Sequence, residues 1–283
     1  MKKYKFLIIG SKGLLGSNII KYLRKNKISH KKIARNNSDY NLDLKNFERL
    51  KYFFSKNKFE IVINCAAKVN IDFCEKNYKE AKLINLGLVK YLSLLSKLYS
   101  FKLVQISTDQ VYFQKNYKLN KEKDRIAGVN KYSILKIKSE NALKNHKNYL
   151  IIRTNFTGKR KNSFIDWLIK SIKKERTINL FSDMYTSTLD VSTCAKYIIK
   201  LSLLNANGVY NLGTKNMISK KQFAIYVSRL IKKKIFYKTT SCDILSTKRS
   251  KNLGLDVKKI EKKVGEKMIT SQEAIKNLVS EYR

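Results

Sequence analysis

The feature that most constrains the fold is a glycine-rich turn between an apolar segment and an amphipathic one. Tyr4–Ile9 has the length of a buried strand, and Leu14–Lys25 repeats apolar residues at helical spacing. Between them, the stretch Gly10-Ser11-Lys12-Gly13-Leu14-Leu15-Gly16 holds three of the ten glycines in the 283-residue chain. Glycines let backbone amides approach a diphosphate, whose charge the following helix N-terminus stabilises. The turn therefore predicts nucleotide binding, although its G-x-x-G-x-x-G spacing differs from the G-x-G-x-x-G form.

Apolar strands and amphipathic helices continue to alternate after this turn. The predicted strands are Lys32–Ala34, Ile61–Asn64, Leu103–Ser107, Leu150–Arg153 and Gly208–Leu212. The predicted helices are Asn46–Ser55, Tyr78–Tyr99, Asn130–Lys144, Phe164–Lys174 and Lys221–Lys232. Such alternation predicts an α/β fold with a doubly wound parallel sheet and helices on both faces.

Charge and composition limit the class of function. The 61 Lys+Arg against 21 Asp+Glu give a net charge of +40, which admits either a polyanion-binding surface or a biased composition. The basic residues are scattered in short runs and no nucleic-acid motif is present, so we favour biased composition and do not expect nucleic-acid binding. No apolar run is long enough for a membrane span or signal peptide, and we expect a cytoplasmic protein.

Metal binding is not expected either. The four cysteines form no C-x-x-C pair and the chain has two histidines, whereas a zinc site needs clustered thiolates or imidazoles.

The end of the second predicted strand bears on the choice of cofactor. An acidic residue there would bind a ribose 2′-hydroxyl, but Arg35 occupies the position, and a guanidinium suits a 2′-phosphate. This favours NADPH over NADH as cofactor. Asp43 lies at a place in the sequence from which it can reach the adenine.

A catalytic constellation follows from two short motifs. Tyr132 and Lys136 lie four residues apart on a predicted helix and so share one face. We expect the ammonium to lower the pKa of the phenol, which can then give a proton to a carbonyl as hydride reaches its carbon. Ser107-Thr108-Asp109 ends a predicted strand at the sheet edge where doubly wound folds bind ligands. Thr108 can polarise the same carbonyl.

Further stretches carry a family resemblance. Asn64–Asp72 looks like the motif N-A-A-x-T-x-V-D, and Ser107–Tyr112 is similar to S-T-D-Y-V-F. Tyr132–Lys136 looks like Y-G-x-x-K, and Arg249–Asn252 is similar to R-P-x-N. With the glycine turn, these motifs resemble the extended short-chain dehydrogenase/reductases, and within them the dTDP-4-dehydrorhamnose reductase family.

The resemblance implies a Rossmann-type domain, residues 1–153 and 184–213, with a small α+β C-terminal substrate-binding lobe, residues 154–183 and 214–283. It implies NAD(P)H-dependent reduction of the 4-keto group of dTDP-4-dehydrorhamnose to dTDP-L-rhamnose for cell-surface polysaccharide synthesis. The implied catalytic residues are Thr108, Tyr132 and Lys136. The implied cofactor residues are Gly10, Gly13, Leu14, Leu15, Gly16, Arg35, Asp43, Leu44, Cys65, Ala66, Ala67, Lys68, Tyr132 and Lys136. The implied substrate residues are Ser107, Thr108, Asp109, Phe156, Arg249 and Asn252.

Three departures from the family pattern keep an alternative open. Gln110 replaces the tyrosine of S-T-D-Y, Phe156 replaces a tryptophan, and Thr188 replaces the proline of S-P-T. The alternative is a non-catalytic, NADP-binding regulatory subunit like the one that accompanies methionine adenosyltransferase. Retention of Tyr132 and Lys136 favours the enzyme. A homodimer is compatible with either hypothesis.

Overall fold

Strands and helices alternate through the first half of the chain, as predicted. A computed structural model describes residues 3–113, 117–144, 147–161 and 163–282. The strands are β1 Lys3–Ile9, β2 His30–Ala34, β3 Tyr40–Asn41, β4 Lys58–Asn64, β5 Lys102–Thr108, β6 Tyr149–Thr154, β7 Phe156–Thr157, β8 Ile178–Phe181, β9 Tyr185–Thr186, β10 Leu189–Asp190, β11 Gly208–Leu212, β12 Ile218–Ser219, β13 Tyr237–Thr240 and β14 Asn252–Leu253. The helices are α1 Leu14–Lys25, α2 Phe47–Lys56, α3 Ile71–Lys76, α4 Tyr78–Lys82, α5 Leu88–Leu98, α6 Lys131–Asn141, α7 Phe164–Lys173, α8 Val191–Leu203, α9 Lys220–Leu230, α10 Lys258–Val264 and α11 Ser271–Ser280.

Seven strands form the central sheet in the order β11-β6-β5-β4-β1-β2-β3. Every neighbouring pair is parallel. Ile9 at the end of β1 pairs with Ile33 of β2 on one side and with Asn64 of β4 on the other. The carboxyl ends of the strands therefore meet at one edge, and the predicted Rossmann-type sheet is confirmed.

Both faces of the sheet are covered, which explains why its strands are continuous apolar runs. On one face, α1, α8 and α10 pack over Phe6, Ile8, Val104 and Ile152, all fully or almost fully buried. On the other face, α2 and α5 pack over Leu7, Val62 and Leu103. The segment Val257–Met268, in the part of the chain predicted as lobe, joins the first of these cores.

A smaller second unit lies above the carboxyl edge of the sheet. Its core is formed by α7, α9 and α11 together with β8. The small sheets β13–β8, β10–β7 and β12–β9–β14 complete it. This mixture of helices and short strands matches the predicted α+β lobe, and the lobe closes one side of a cleft over the sheet.

The long helix predicted at Tyr78–Tyr99 is divided. A π-helical turn, Leu83–Gly87, separates α4 from α5, and the backbone stays helical at both junctions. Among the described residues, no helix has both the length and the apolar character needed to cross a lipid bilayer.

Candidate active site

A cleft of about 740 Å³ lies between the carboxyl edge of the sheet and the lobe. It brings together most of the residues predicted from the sequence. Those that line it are Gly13, Leu14, Leu15, Cys65, Ala66, Ala67, Ser107, Thr108, Asp109, Tyr132, Lys136 and Phe156. The predicted residues outside its lining are Gly10, Gly16, Arg35, Asp43, Leu44, Lys68, Arg249 and Asn252.

The glycine turn leaves space that side chains would fill. Gly10 has a φ of +77°, and a Cβ there would come within 2.7 Å of the Ala66 backbone nitrogen. A Cβ on Gly16 would collide with the Gly10 carbonyl oxygen. The absence of side chains at both glycines thus lets the turn run close to the end of β4. A turn this close to the sheet lets backbone amides approach the diphosphate of a dinucleotide.

The N-terminus of α1 also suits an anion. Its first-turn amides have no intrahelical acceptor, and along the described turn no side chain caps them and no acidic residue lies beside them. Lys12, within the turn, adds a positive charge nearby. Its Nζ donates to Asn36 Oδ1 at 2.9 Å, which holds the ammonium beside the end of β2. Asn36 follows Arg35, which is exposed just after β2. Lys12 and Arg35 therefore flank the place where a ribose 2′-phosphate would lie, and only Arg35 was predicted.

Three predicted cofactor residues lie farther out. Asp43 is exposed, and its Oδ1 accepts from the Lys45 amide at 3.0 Å. Leu44 is half-buried against the core under α2 and α5. The Nζ of Lys68 lies 3.2 Å from Glu80 Oε1. Contacts of these residues with a cofactor stay predictions.

Two capping interactions fix the helix that carries Tyr132 and Lys136. The Asn130 side chain accepts from the Ser133 amide at 2.9 Å, and the Ser133 hydroxyl accepts from the Asn130 amide at 3.2 Å. The Lys131 amide also donates to Glu75 Oε1 at 2.6 Å, which attaches α6 to α3. The start of α6, and hence the direction of Tyr132, is held from both sides.

Tyr132, Lys136 and Thr108 meet at the floor of the cleft. The Thr108 side chain lies near the Tyr132 hydroxyl. Thr108 Oγ1 accepts from the Gln110 amide and donates to Asp109 Oδ1, each at 3.2 Å. The Lys136 Nζ donates to the Ile106 carbonyl oxygen at 2.5 Å. All three catalytic candidates are buried, at 7% exposure or less.

The expected effect of Lys136 on Tyr132 is wrong. Burial raises the pKa of the Tyr132 phenol above its ordinary value, and the neighbouring Thr108 side chain only partly opposes the rise. The helical spacing places the two side chains on one face, but the ammonium is directed at the Ile106 carbonyl. Burial lowers the pKa of Lys136 to about 8, against the influence of Glu140. The phenol is therefore neutral, which is the form that can donate a proton.

A buried ion pair supports the floor from below. Arg153 Nη2 lies 2.6 Å from Glu140 Oε2, and Ser107 Oγ donates to Glu140 Oε1 at 2.5 Å. Ser107 thus lines the cleft while its hydroxyl is turned to Glu140. The ion pair joins α6 to the ends of β5 and β6, which keeps the catalytic side chains at fixed separation.

The lobe supplies a polar wall that the sequence did not reveal. The cleft is also lined by Asn155, Arg160, Lys161 and Lys220. Asn155 Nδ2 donates to Asp109 Oδ2 at 2.6 Å, while burial raises the pKa of Asp109 to about 6. The position of Asn155 directly after β6 was the one signal available, because polar residues at strand ends collect at this edge.

Arg249 and Asn252 do not line the cleft. Arg249 Nη2 is 3.1 Å from Asp72 Oδ1, and its buried Nη1 has no hydrogen-bond partner among the described residues. Asn252 is buried on β14, where its Nδ2 donates to the Lys118 carbonyl at 2.7 Å. The structure places Asn252 as a support for the neighbouring loop.

The sequence is similar to that of a known protein family over almost its whole length. The model of the RmlD substrate binding domain family matches residues 4–283. The chain belongs to this family. The dTDP-4-dehydrorhamnose reductase of Aggregatibacter actinomycetemcomitans is 24% identical over 290 residues, covering 97% of this chain and 98% of that protein. A spore coat polysaccharide biosynthesis protein of Bacillus subtilis is 27% identical over 222 residues, covering 78% and 77%.

Solved structures agree on the fold. A dTDP-4-dehydrorhamnose reductase from Clostridium acetobutylicum has a TM-score of 0.90 at 25% identity, covering 98% of this chain and 99% of that one. The Bacillus anthracis reductase, in complex with NADP, has a TM-score of 0.91 at 24% identity, covering 99% and 100%. The prediction of an oxidoreductase family, the dTDP-4-dehydrorhamnose reductases with their Rossmann-type fold, is confirmed.

Proposed function

We propose that the protein is an NAD(P)H-dependent reductase of a nucleotide-activated 4-keto-deoxysugar, and specifically that it converts dTDP-4-dehydrorhamnose to dTDP-L-rhamnose for cell-surface polysaccharide synthesis. The observation that carries the proposal is the convergence of Thr108, Tyr132 and Lys136 on the cleft floor beside the glycine turn. The names of the relatives support the class of substrate, since they are sugar-nucleotide reductases and a polysaccharide biosynthesis protein.

The chain's residues account for the proton in this reaction. When bound, NAD(P)H supplies a hydride to the keto carbon. Tyr132, kept neutral by burial, donates its phenolic proton to the carbonyl oxygen as negative charge develops there. Thr108 would polarise the same oxygen once its hydroxyl proton turns from Asp109 Oδ1 to the substrate. Lys136, held by the Ile106 carbonyl, is placed to bind the nicotinamide ribose.

The cofactor is proposed to lie over the sheet domain, residues 1–153 and 184–213. The diphosphate would contact the amides at the start of α1, and Lys12 with Arg35 would hold a 2′-phosphate. This arrangement favours NADPH over NADH. Asp43 remains the proposed contact for the adenine.

The nucleotide sugar is proposed to lie against the lobe, residues 154–183 and 214–283. Phe156 would pack on it, and Asp109 would accept a hydrogen bond from the sugar. The free Nη1 of Arg249 is suited to the diphosphate, which it could reach after a side-chain movement.

The test follows NADPH absorbance at 340 nm with dTDP-4-keto-6-deoxysugars. We expect turnover by wild type, and loss of about 100- to 10,000-fold in kcat for Tyr132→Phe because the proton donor is gone. Tyr91→Phe is the matched control, since Tyr91 stacks on Phe47 and does not line the cleft. Equal rates for Tyr132→Phe and wild type would refute the mechanism. NADPH binding without turnover of any such sugar would support the regulatory alternative instead.

A further inference from the structure

Lys220 is a cleft residue with a fixed backbone and a free charge. It is the first residue of α9, where Ser219 Oγ accepts from the Gln222 amide at 3.1 Å and Gln222 Oε1 accepts from the Ser219 amide at 2.8 Å. The Lys220 amide donates to the Met184 carbonyl at 3.0 Å. These contacts hold its Cα at the lobe wall, and its side chain reaches the cleft.

The Lys220 ammonium lies among aromatic rings without a counter-ion. Its Nζ is 4.8 Å from the centre of the Phe164 ring and 6.0 Å from that of Phe223. Among the described residues, its Nζ has no ion pair within 4.0 Å and no hydrogen-bond acceptor. Burial lowers its pKa, and the charge of Asp109 partly opposes this. An ammonium in such surroundings has unused donors facing the cleft.

Asp109 presents the complementary group from the opposite wall. Its Oδ1 accepts from Thr108 at 3.2 Å and its Oδ2 from Asn155 at 2.6 Å, whereas a carboxylate offers about four acceptor positions. A ligand group lying between Lys220 and Asp109 must therefore accept from one and donate to the other. A hydroxyl does both. A carboxylate or phosphate would be repelled by Asp109.

We propose that Lys220 is a specificity-determining residue that, together with Asp109, binds the hydroxyl on the sugar carbon next to the reacting carbonyl. This rests on the proposed function, because Thr108 connects the two positions. Thr108 and Tyr132, the proposed proton donor to the carbonyl, line the same cleft, and Thr108 donates to Asp109 Oδ1 at 3.2 Å. In a 4-keto-6-deoxyhexose the reacting carbon has two neighbours, carbons 3 and 5. Carbon 5 is bonded to the ring oxygen and the methyl group and has no hydroxyl, so the hydroxyl in question is the one on carbon 3. Lys220 thus selects sugars that retain it.

The experiment compares kcat/KM for a dTDP-4-keto-6-deoxysugar with its 3-deoxy analogue. For Lys220→Met we expect a fall of roughly 10- to 100-fold with the 3-hydroxy sugar and little change with the 3-deoxy sugar, since a charge-assisted hydrogen bond is lost. Lys221→Met is the matched control, because Lys221 is directed outward and its Nζ donates to Thr239 Oγ1 at 2.8 Å. The Kd for NADPH should not change in either variant.

Equal losses with the two sugars, or equal losses in Lys220→Met and Lys221→Met, would overturn the assignment. Calorimetric binding of both sugars, each in the presence of NADP, separates this from the proposed function. If wild type turns over neither sugar, the reductase proposal fails, while a 3-hydroxy preference in binding that disappears in Lys220→Met still supports Lys220. Binding with no such preference overturns it.

Discussion

The buried ion pair between Glu140 and Arg153 permits a quantitative prediction. The two side chains are 0% and 4% exposed. Arg153 Nε lies 3.1 Å from both carboxylate oxygens of Glu140, and Nη2 lies 2.6 Å from Oε2. Glu140→Gln preserves the shape of the side chain and removes its charge. Arg153 would keep the Tyr112 hydroxyl at 2.8 Å and the Glu122 carbonyl at 3.0 Å, but at most one uncharged acceptor oxygen would remain at position 140, which Ser107 also needs.

An uncompensated buried charge sets the size of the effect. Loss of one partner from a buried pair costs about 3–5 kcal/mol in the free energy of unfolding. At roughly 2–4 °C per kcal/mol for a chain of this size, Tm should fall by about 6–20 °C. Urea unfolding, followed by circular dichroism and by the fluorescence of Trp167, the only tryptophan, measures the difference.

The control removes an exposed pair of similar length. Lys170 Nζ lies 2.9 Å from Asp166 Oδ2, but the lysine side chain is 59% exposed. Lys170→Met should therefore cost less than about 1 kcal/mol. A loss below about 1 kcal/mol in Glu140→Gln, indistinguishable from that of Lys170→Met, would refute the view that this pair holds the catalytic floor together.

Three further predictions concern the turn and two buried lysines. Gly10→Ala should abolish NADPH binding in a fluorescence titration, because its Cβ would collide with the Ala66 backbone. Gly208→Ala is the control, since it is also at positive φ but has open space around it, and it should bind NADPH normally. Equal NADPH affinity of the two variants would contradict the prediction. The rate of NADPH oxidation should fall as pH rises above about 8, where Lys136 loses its proton, and a profile flat to pH 10 would exclude this role. Lys102 has its pKa lowered by burial to about 8, so between pH 8 and 10.5 only the unfolded chain binds the proton. The free energy of unfolding of wild type, measured by urea titration, should therefore rise relative to that of Lys102→Met between pH 8 and 10.5. A difference between the two proteins that stays constant over this range would contradict the lowered pKa of Lys102.

The sequence correctly predicted those helices and strands whose signal lies within one short segment. The helix predicted at Leu14–Lys25 has the same bounds in the structure, because its apolar residues lie on one face and a glycine precedes it. The strand Gly208–Leu212 is likewise correct. Helix α8 was not predicted, since most of its residues are buried and only a narrow polar face is left.

The residues of the candidate site were likewise predictable only where a short segment carries the signal. The glycine turn and the run Ser107–Asp109 were accessible because each is one short segment at a strand end. Lys220 was not, because only tertiary packing brings the start of α9 over the sheet. Likewise, helical spacing put Tyr132 and Lys136 on one face but could not reveal that the ammonium is bonded to the Ile106 carbonyl.

The packing of α10 limits how this enzyme family can diversify. The core on one face of the sheet is completed by Val257, Ile260 and Val264, in and just before α10. In the sequence these residues come after most of the lobe. An exchange of the whole C-terminal part between relatives would therefore import foreign residues into the cofactor domain. Substitutions at single positions of the cleft wall would leave this shared core intact, whereas an exchange of the whole C-terminal part would not.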